Sequence, residues 1–135
     1  MRNRASLRLC ALAICGLFCA SAQAQQQRKE ARAIPLDCAG EGCPLLQGIP
    51  QTAGMRSGFV RLTPGQTVGR HTTGRNEEAL IILRGRGDAL LDGEKRISFI
   101  APAVVYIPPA TSHNVLNTGK ESLEYVYVVA PASAQ

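Results

Sequence analysis

The sequence predicts a single all-β domain, a sandwich or barrel of short antiparallel strands, and three observations point to it. From about residue 55 onward, short apolar runs recur at intervals of roughly 8 to 12 residues with turn-forming residues between them. No window of about 11 residues in that region combines helical periodicity with capping residues. Turn chemistry falls between the runs, at Thr63-Pro64-Gly65-Gln66 and at Asp92-Gly93. A chain of 135 residues supports one core of this kind and is too short for two.

The elements follow in order. MRNRASLRLCALAICGLFCASAQAQ has three arginines and no acid, then an apolar run from Leu9 to Ala20, then Ala22-Gln23-Ala24, the pattern of a cleaved secretory signal with its cut after Ala24. A membrane anchor is the competing reading, but a spanning helix needs about 20 apolar residues and this run is shorter. Residues 1 to 24 are therefore read as a signal peptide, and the mature protein as periplasmic or secreted with no stable membrane anchor. Residues 25 to 54 read as a flexible arm, polar at first and then loop-rich around Pro35, Pro44 and Pro50. The compact domain is expected over residues 55 to 131.

Within it, SGFVRLT reads as a strand that ends at the Pro64-Gly65 turn. EEALIIL is apolar enough to be a central strand buried on both faces. DALL and KRISFI flank Asp92-Gly93 as a two-residue hairpin. AVVYIP, SHNVLN and LEYVYVVA complete the set, the last alternating Leu123, Tyr125, Tyr127 and Val129 against Glu124, Val126 and Val128.

Charge and cysteine usage narrow the function classes. The whole chain carries 15 basic and 10 acidic residues, but Arg2, Arg4 and Arg8 belong to the signal, so the mature chain is close to +2. No basic cluster is interleaved with aromatics, Trp is absent and aromatics make up 4%, which argues against a nucleic-acid partner. The signal also takes Cys10, Cys15 and Cys19. Cys38 and Cys43 remain in LDCAGEGCP, and two cysteines in an exported chain are expected to pair, with two free thiols as the alternative. Their spacing, and Pro44 in place of a histidine, exclude haem attachment.

Few residues are left to carry chemistry. No serine lies in a nucleophile elbow, and there is no helix for a phosphate loop to open. The chain has only two histidines, His71 and His113, and a carboxylate pair, Glu77-Glu78, close after the first. Imidazole and carboxylate together form the usual donor set of a mononuclear transition-metal site. Adjacent strand residues point to opposite faces, so only one of Glu77 and Glu78 can line an interior.

These positions resemble the two motifs of the cupins. In residues 65 to 85, Gly65, His71, Glu78 and Gly85 stand at the first motif's spacing, with Thr73 where its second histidine belongs. In residues 102 to 117, Pro108, His113 and Asn117 match the second motif, while Pro102 and Ala110 replace its two glycines. Ala110 keeps the position small, so the turn before His113 should survive. The resemblance covers about residues 55 to 130 and implies an antiparallel jelly-roll β-barrel with one divalent metal inside, held by His71, Glu78 and His113. The metal would be Fe, Mn, Zn, Ni or Cu. It also implies a small-molecule ligand in the barrel and a homodimer.

Two histidines and one carboxylate suffice for a facial triad or a three-ligand zinc site with open positions. The alternative is a pair of interior histidines that are merely hydrogen-bonded after loss of the fourth ligand. Thr73, Tyr106 and Tyr127, with Tyr125, are the candidates to line the pocket, although core packing is the commoner role of a tyrosine. Arg70, Arg75, Arg84 and Arg86 default to solvated charge. Arg70 is the one that would select an anionic ligand if it reached over the pocket mouth. Three functions fit: a metal-dependent enzyme such as an oxygenase or isomerase, a non-catalytic module that binds or senses a small ligand, or a structural role in which the arm from Ala33 to Gln51 packs across the partner of the homodimer that the resemblance implies.

Overall fold

Eight strands and one short 3-10 turn account for the regular structure in the computed structural model, which describes residues 29 to 132. The expected signal peptide, residues 1 to 24, lies outside the described residues. The strands are β1 (Gly42–Gln47), β2 (Arg56–Leu62), β3 (Asn76–Arg84), β4 (Arg86–Leu91), β5 (Arg96–Ile100), β6 (Ala103–Ile107), β7 (His113–Asn117) and β8 (Leu123–Pro131). All pairings are antiparallel. They build a five-stranded sheet in the order β1-β2-β8-β3-β6 and a three-stranded sheet in the order β5-β4-β7. The stretch from Thr67 to His71 runs beside β7 through isolated bridges to Leu116 and His113 and widens the smaller sheet. The two sheets face each other as an open jelly roll and are not hydrogen-bonded into a closed barrel.

The period-2 pattern decides which residues meet between the sheets. Register across the larger sheet aligns the inward residues in rows: Arg56, Val129, Glu78 and Ile107 in one, Gly58, Tyr127, Leu80 and Val105 in the next, Val60, Tyr125, Ile82 and Ala103 in the third. The core cluster takes Leu80, Ile82, Val105 and Ile107 from these rows and Ala89, Phe99 and Val115 from the smaller sheet. Burying each large aliphatic side chain contributes roughly 1.5–3 kcal/mol. The apolar rows therefore hold the deep part of the sandwich together, and polar residues gather at its open end.

Three expectations change. EEALIIL is central, between β8 and β6, but it is buried on one face only: Ile81 and Leu83 are 38% and 44% exposed, beside Val104 and Tyr106 of β6 at 68% and 56%. A run of apolar residues cannot by itself say whether a second layer covers the outer face. The loop-rich arm contributes a strand, because Gly42 to Gln47 pairs with β2 at the sheet edge. Pro44 is tolerated there, since an edge strand has one unpaired side and the register shifts between Pro44 and Leu46. At Asp92-Gly93 the chain makes a 3-10 turn over Asp92–Glu94, closed by the Leu91 amide donating to Lys95 O at 2.7 Å. The hairpin loop is therefore longer than two residues.

The Cys38–Cys43 disulfide is present, with Cα atoms 5.6 Å apart. Cys43 is the cross-strand partner of Phe59, whose buried ring lies under the Arg61 guanidinium at 5.2 Å. Arg61 also donates to Gly40 O at 3.0 Å and pairs with Glu124 at 2.8 Å. The disulfide loop is thus tied to β2 and β8 from outside the core.

Candidate metal centre

The two histidines, 42 positions apart in sequence, are direct cross-strand partners. The His71 amide donates to His113 O at 2.9 Å and the His113 amide to His71 O at 2.8 Å. Residues directly opposite in an antiparallel pair put their side chains on the same face, so the rings lie together, with centroids 4.3 Å apart and planes tilted by 59°. Each ring is anchored alike. Nδ1 of His71 lies 2.9 Å from Gly69 O, and Nδ1 of His113 lies 3.1 Å from Thr111 O. A carbonyl at Nδ1 selects the Nδ1–H tautomer and leaves the Nε2 lone pair free to bind a metal.

Glu78 faces these rings from the opposite sheet. Its carboxylate is 4% exposed and His113 is fully buried. Glu78 Oε2 and His113 Nε2 are 3.2 Å apart, within ion-pair range. They are not aligned as a hydrogen bond, so neither atom has a hydrogen-bond partner. The Glu78 carboxylate raises the His113 pKa above its ordinary value; burial opposes this, and the Thr111 carbonyl adds to it. A buried carboxylate oxygen and a buried imidazole nitrogen left unpaired are costly unless something lies between them.

A cation fits that position. Two donors about 2.1 Å from one ion and at ordinary coordination angles lie about 3.0–3.4 Å from each other, which brackets the 3.2 Å seen between Glu78 and His113. The donor atoms of His71, Glu78 and His113 all lie within 4.8 Å of one another. Donors on opposite sides of one ion would be about 4.2 Å apart, so any adjustment is small. It falls to His71, the exposed member of the three. The residues fit a divalent metal, and the three donors would tie the two sheets together through it.

Around them lies a half-open cavity of about 360 Å³. Thr73 is part of its lining, but its hydroxyl donates to Asn76 O at 2.9 Å and serves the turn. Tyr127 and Tyr125 line it too. Burial, then the nearby Glu78 and Tyr127, push the Tyr125 phenol well above its usual pKa, so it stays a neutral donor. Tyr106 does not reach the cavity. Its neighbours Val105 and Ile107 point inward, so alternation along β6 turns Tyr106 outward, where its hydroxyl donates to Glu77 at 3.1 Å. The same alternation resolves the carboxylate pair, with Glu78 inside and Glu77 outside. Arg70 does not line the cavity: its Nη1 lies 3.4 Å from Asp92 Oδ1 and 3.4 Å from Ser112 Oγ, near enough to His113 for its charge to oppose the rise in that pKa.

Arg56, which the sequence did not single out, lines the cavity instead. The only signal in its favour was its position two residues before Gly58, in step with the inward residues of β2. The remaining motif residues are structural. Asn117, 1% exposed, donates to Leu62 O and Glu121 O at 2.8 Å each and accepts from the Gly119 amide at 2.8 Å. It fastens β7 to the end of β2 and to the turn before β8. Gly85 has a φ of +84°, and a Cβ there would lie 2.6 Å from Ser122 O, so only glycine lets β3 turn into β4 so close to that turn.

Residues 58 to 129 match the cupin domain family, and the chain belongs to it. Solved structures agree on the fold. A Cupin 2 conserved barrel domain protein from Salinispora arenicola is 27% identical, with a TM-score of 0.63 over 76% of this chain and 91% of that one. A predicted oxalate decarboxylase from Thermotoga maritima is 28% identical, with a TM-score of 0.61 over 67% and 79%. The Schizosaccharomyces pombe Cnp3 cupin domain, 19% identical with a TM-score of 0.60, shares the fold alone, and the match spans 64% of that chain. No curated protein matches the chain. What fold and site together define is a single cupin domain with a His/Glu/His group that could hold one metal ion.

Proposed function

We propose that this protein is an exported cupin that holds one divalent transition metal through His71, Glu78 and His113 and admits a small organic ligand to the open coordination positions. The observation that carries the reading is the facing pair of buried, unpartnered donor atoms, Glu78 Oε2 and His113 Nε2. A metal so held supplies Lewis acidity or oxygen activation, the chemistry of oxygenases and isomerases. The protein's own contribution is to keep both imidazoles in one tautomer through the Gly69 and Thr111 carbonyls and to place the ligand against Tyr125 and Tyr127.

A second reading, binding or sensing without turnover, is favoured by the cavity wall. Among the described residues that line it, no carboxylate or histidine remains to act as acid or base besides the three donors. Export is supported by the signal-like N-terminus and by the Cys38–Cys43 disulfide. A homodimer is supported by the exposed apolar face of Ile81, Leu83, Val104 and Tyr106.

The test is metal analysis of protein purified from the periplasm, beside a His71→Ala/His113→Ala double variant. The metal reading expects about one equivalent in the wild type and a trace in the variant. Equal and negligible metal in both would end it. With metal bound, oxygen consumption or product formation across phenolic and dicarbonyl substrates decides between catalysis and binding.

A further inference from the structure

Three features of the cavity wall belong together. Arg56 occupies the same inward row as Glu78, with Val129 of β8 between them. Two strand spacings of about 4.8 Å separate the Arg56 and Glu78 backbones, a gap a molecule of a few carbon atoms can span. Arg56 is exposed and has no carboxylate within 4 Å among the described residues; Arg32, Arg75 and Arg86 are likewise without one, but Arg56 alone of these lines the cavity.

The second feature is Tyr127. It pairs with Gly58, and its ring lies flat over that glycine: a Cβ on Gly58 would sit 2.6 Å from both Tyr127 Cε1 and Oη. The missing side chain is what allows the phenol to lie down along β2, with its hydroxyl two residues from Arg56. The third is charge. Besides the three metal donors, the polar lining consists of Arg56 and hydroxyl groups, with no second carboxylate among the described residues. With a divalent ion on Glu78, the cavity carries a net positive charge and presents hydrogen-bond donors at one side.

We infer that the cavity selects a small carboxylate anion, one end of which meets the metal at His71, Glu78 and His113 while the other is held by Arg56 and the Tyr127 hydroxyl. The inference rests on the metal reading above. Arginine offers a carboxylate two parallel N–H donors, and the Tyr127 hydroxyl adds a third. Arg56 is an exposed member of the lining, and its positive charge together with the metal's draws anions toward the cavity.

The experiment is calorimetric titration of manganese-loaded protein with acetate, malonate, succinate and glutarate, and with the corresponding neutral amides, while metal content is measured on the same samples. At least one carboxylate is expected to bind ten times or more tightly than its amide. Arg56→Gln should weaken that binding about tenfold with metal content unchanged, and Arg56→Lys should restore part of it. Gly58→Ala should also weaken it, because the phenol is pushed off β2. Amides binding as well as carboxylates, no carboxylate binding at all, or unchanged affinity in Arg56→Gln would each overturn the inference while leaving the metal reading intact. A wild type that takes up no metal would overturn both, and the metal measurement alone would show it.

Discussion

Replacing Glu78 by Gln tests the centre most directly, because it changes one charge and almost no volume. Glu78 comes from the larger sheet and the two histidines from the smaller one, so a bound metal bridges the sandwich and must stabilise it. A ligand that binds only the folded state at a hundred times its dissociation constant adds about 2.7 kcal/mol. For a domain of this size, each kcal/mol moves the melting temperature by about 4–8 °C. The wild type should therefore melt about 10–20 °C higher in excess metal than after chelation.

Glu78→Gln removes the only anionic donor of the three. A hundredfold loss of affinity at the same metal concentration leaves about 0.4 kcal/mol of that stabilisation, a shift of only about 2–3 °C. Without metal the variant should fold as well as the wild type, because the amide N–H can donate to the Nε2 lone pair of His113. Differential scanning fluorimetry with Mn, Fe, Ni, Cu and Zn, each against a chelated control, reads both quantities. Equal shifts in the two proteins would show that Glu78 is not a donor. No shift in the wild type with any of these metals would refute the bridging argument altogether.

Three further outcomes follow from other parts of the fold. Ala110 stands where the motif has glycine and adopts a φ of 58°, so Ala110→Gly should relieve about 1 kcal/mol and raise the melting temperature by about 4–8 °C; a decrease would contradict the assigned turn. Asn117→Ala leaves two carbonyls and one amide without their side-chain partner, at about 1–3 kcal/mol for each group left unsatisfied; thermal melts should fall by more than about 10 °C while metal affinity in the folded protein is unchanged, and a near-neutral result would remove the structural role given to this residue. Val104→Glu puts a charge on the exposed outer face of β6 and should convert a dimer to a monomer in sedimentation velocity with metal content unaltered; a wild type that sediments as a monomer at micromolar concentration would dispose of the proposed interface.

How much of this was legible beforehand can be judged residue by residue. Strand alternation put Glu77 and Glu78 on opposite faces and aligned Tyr125 with Tyr127, because the two faces of a strand differ by one residue; the choice of Glu78 came from its motif spacing to Gly85. The same rule did not place Tyr106, since AVVYIP is apolar throughout and only the packing of Val105 and Ile107 shows which face is inside. It also left Arg56 unremarked. A cation at the start of a strand is usually solvated, and its importance comes from two neighbours in space, Gly58 and Glu78, one of them on another strand.

From the sequence by itself come the all-β domain, the spacing of two histidines and a glutamate suited to a metal, and the glycines and prolines that set the turns; local geometry has a period, and the period is written in the residues. Tertiary structure alone decided that His71 and His113 are opposite partners on one ladder, that Glu78 meets them from the other sheet, and that Arg56 shares its row. Register is a relation between strands distant in the chain, determined by how all the side chains pack at once, and no single stretch of residues contains it.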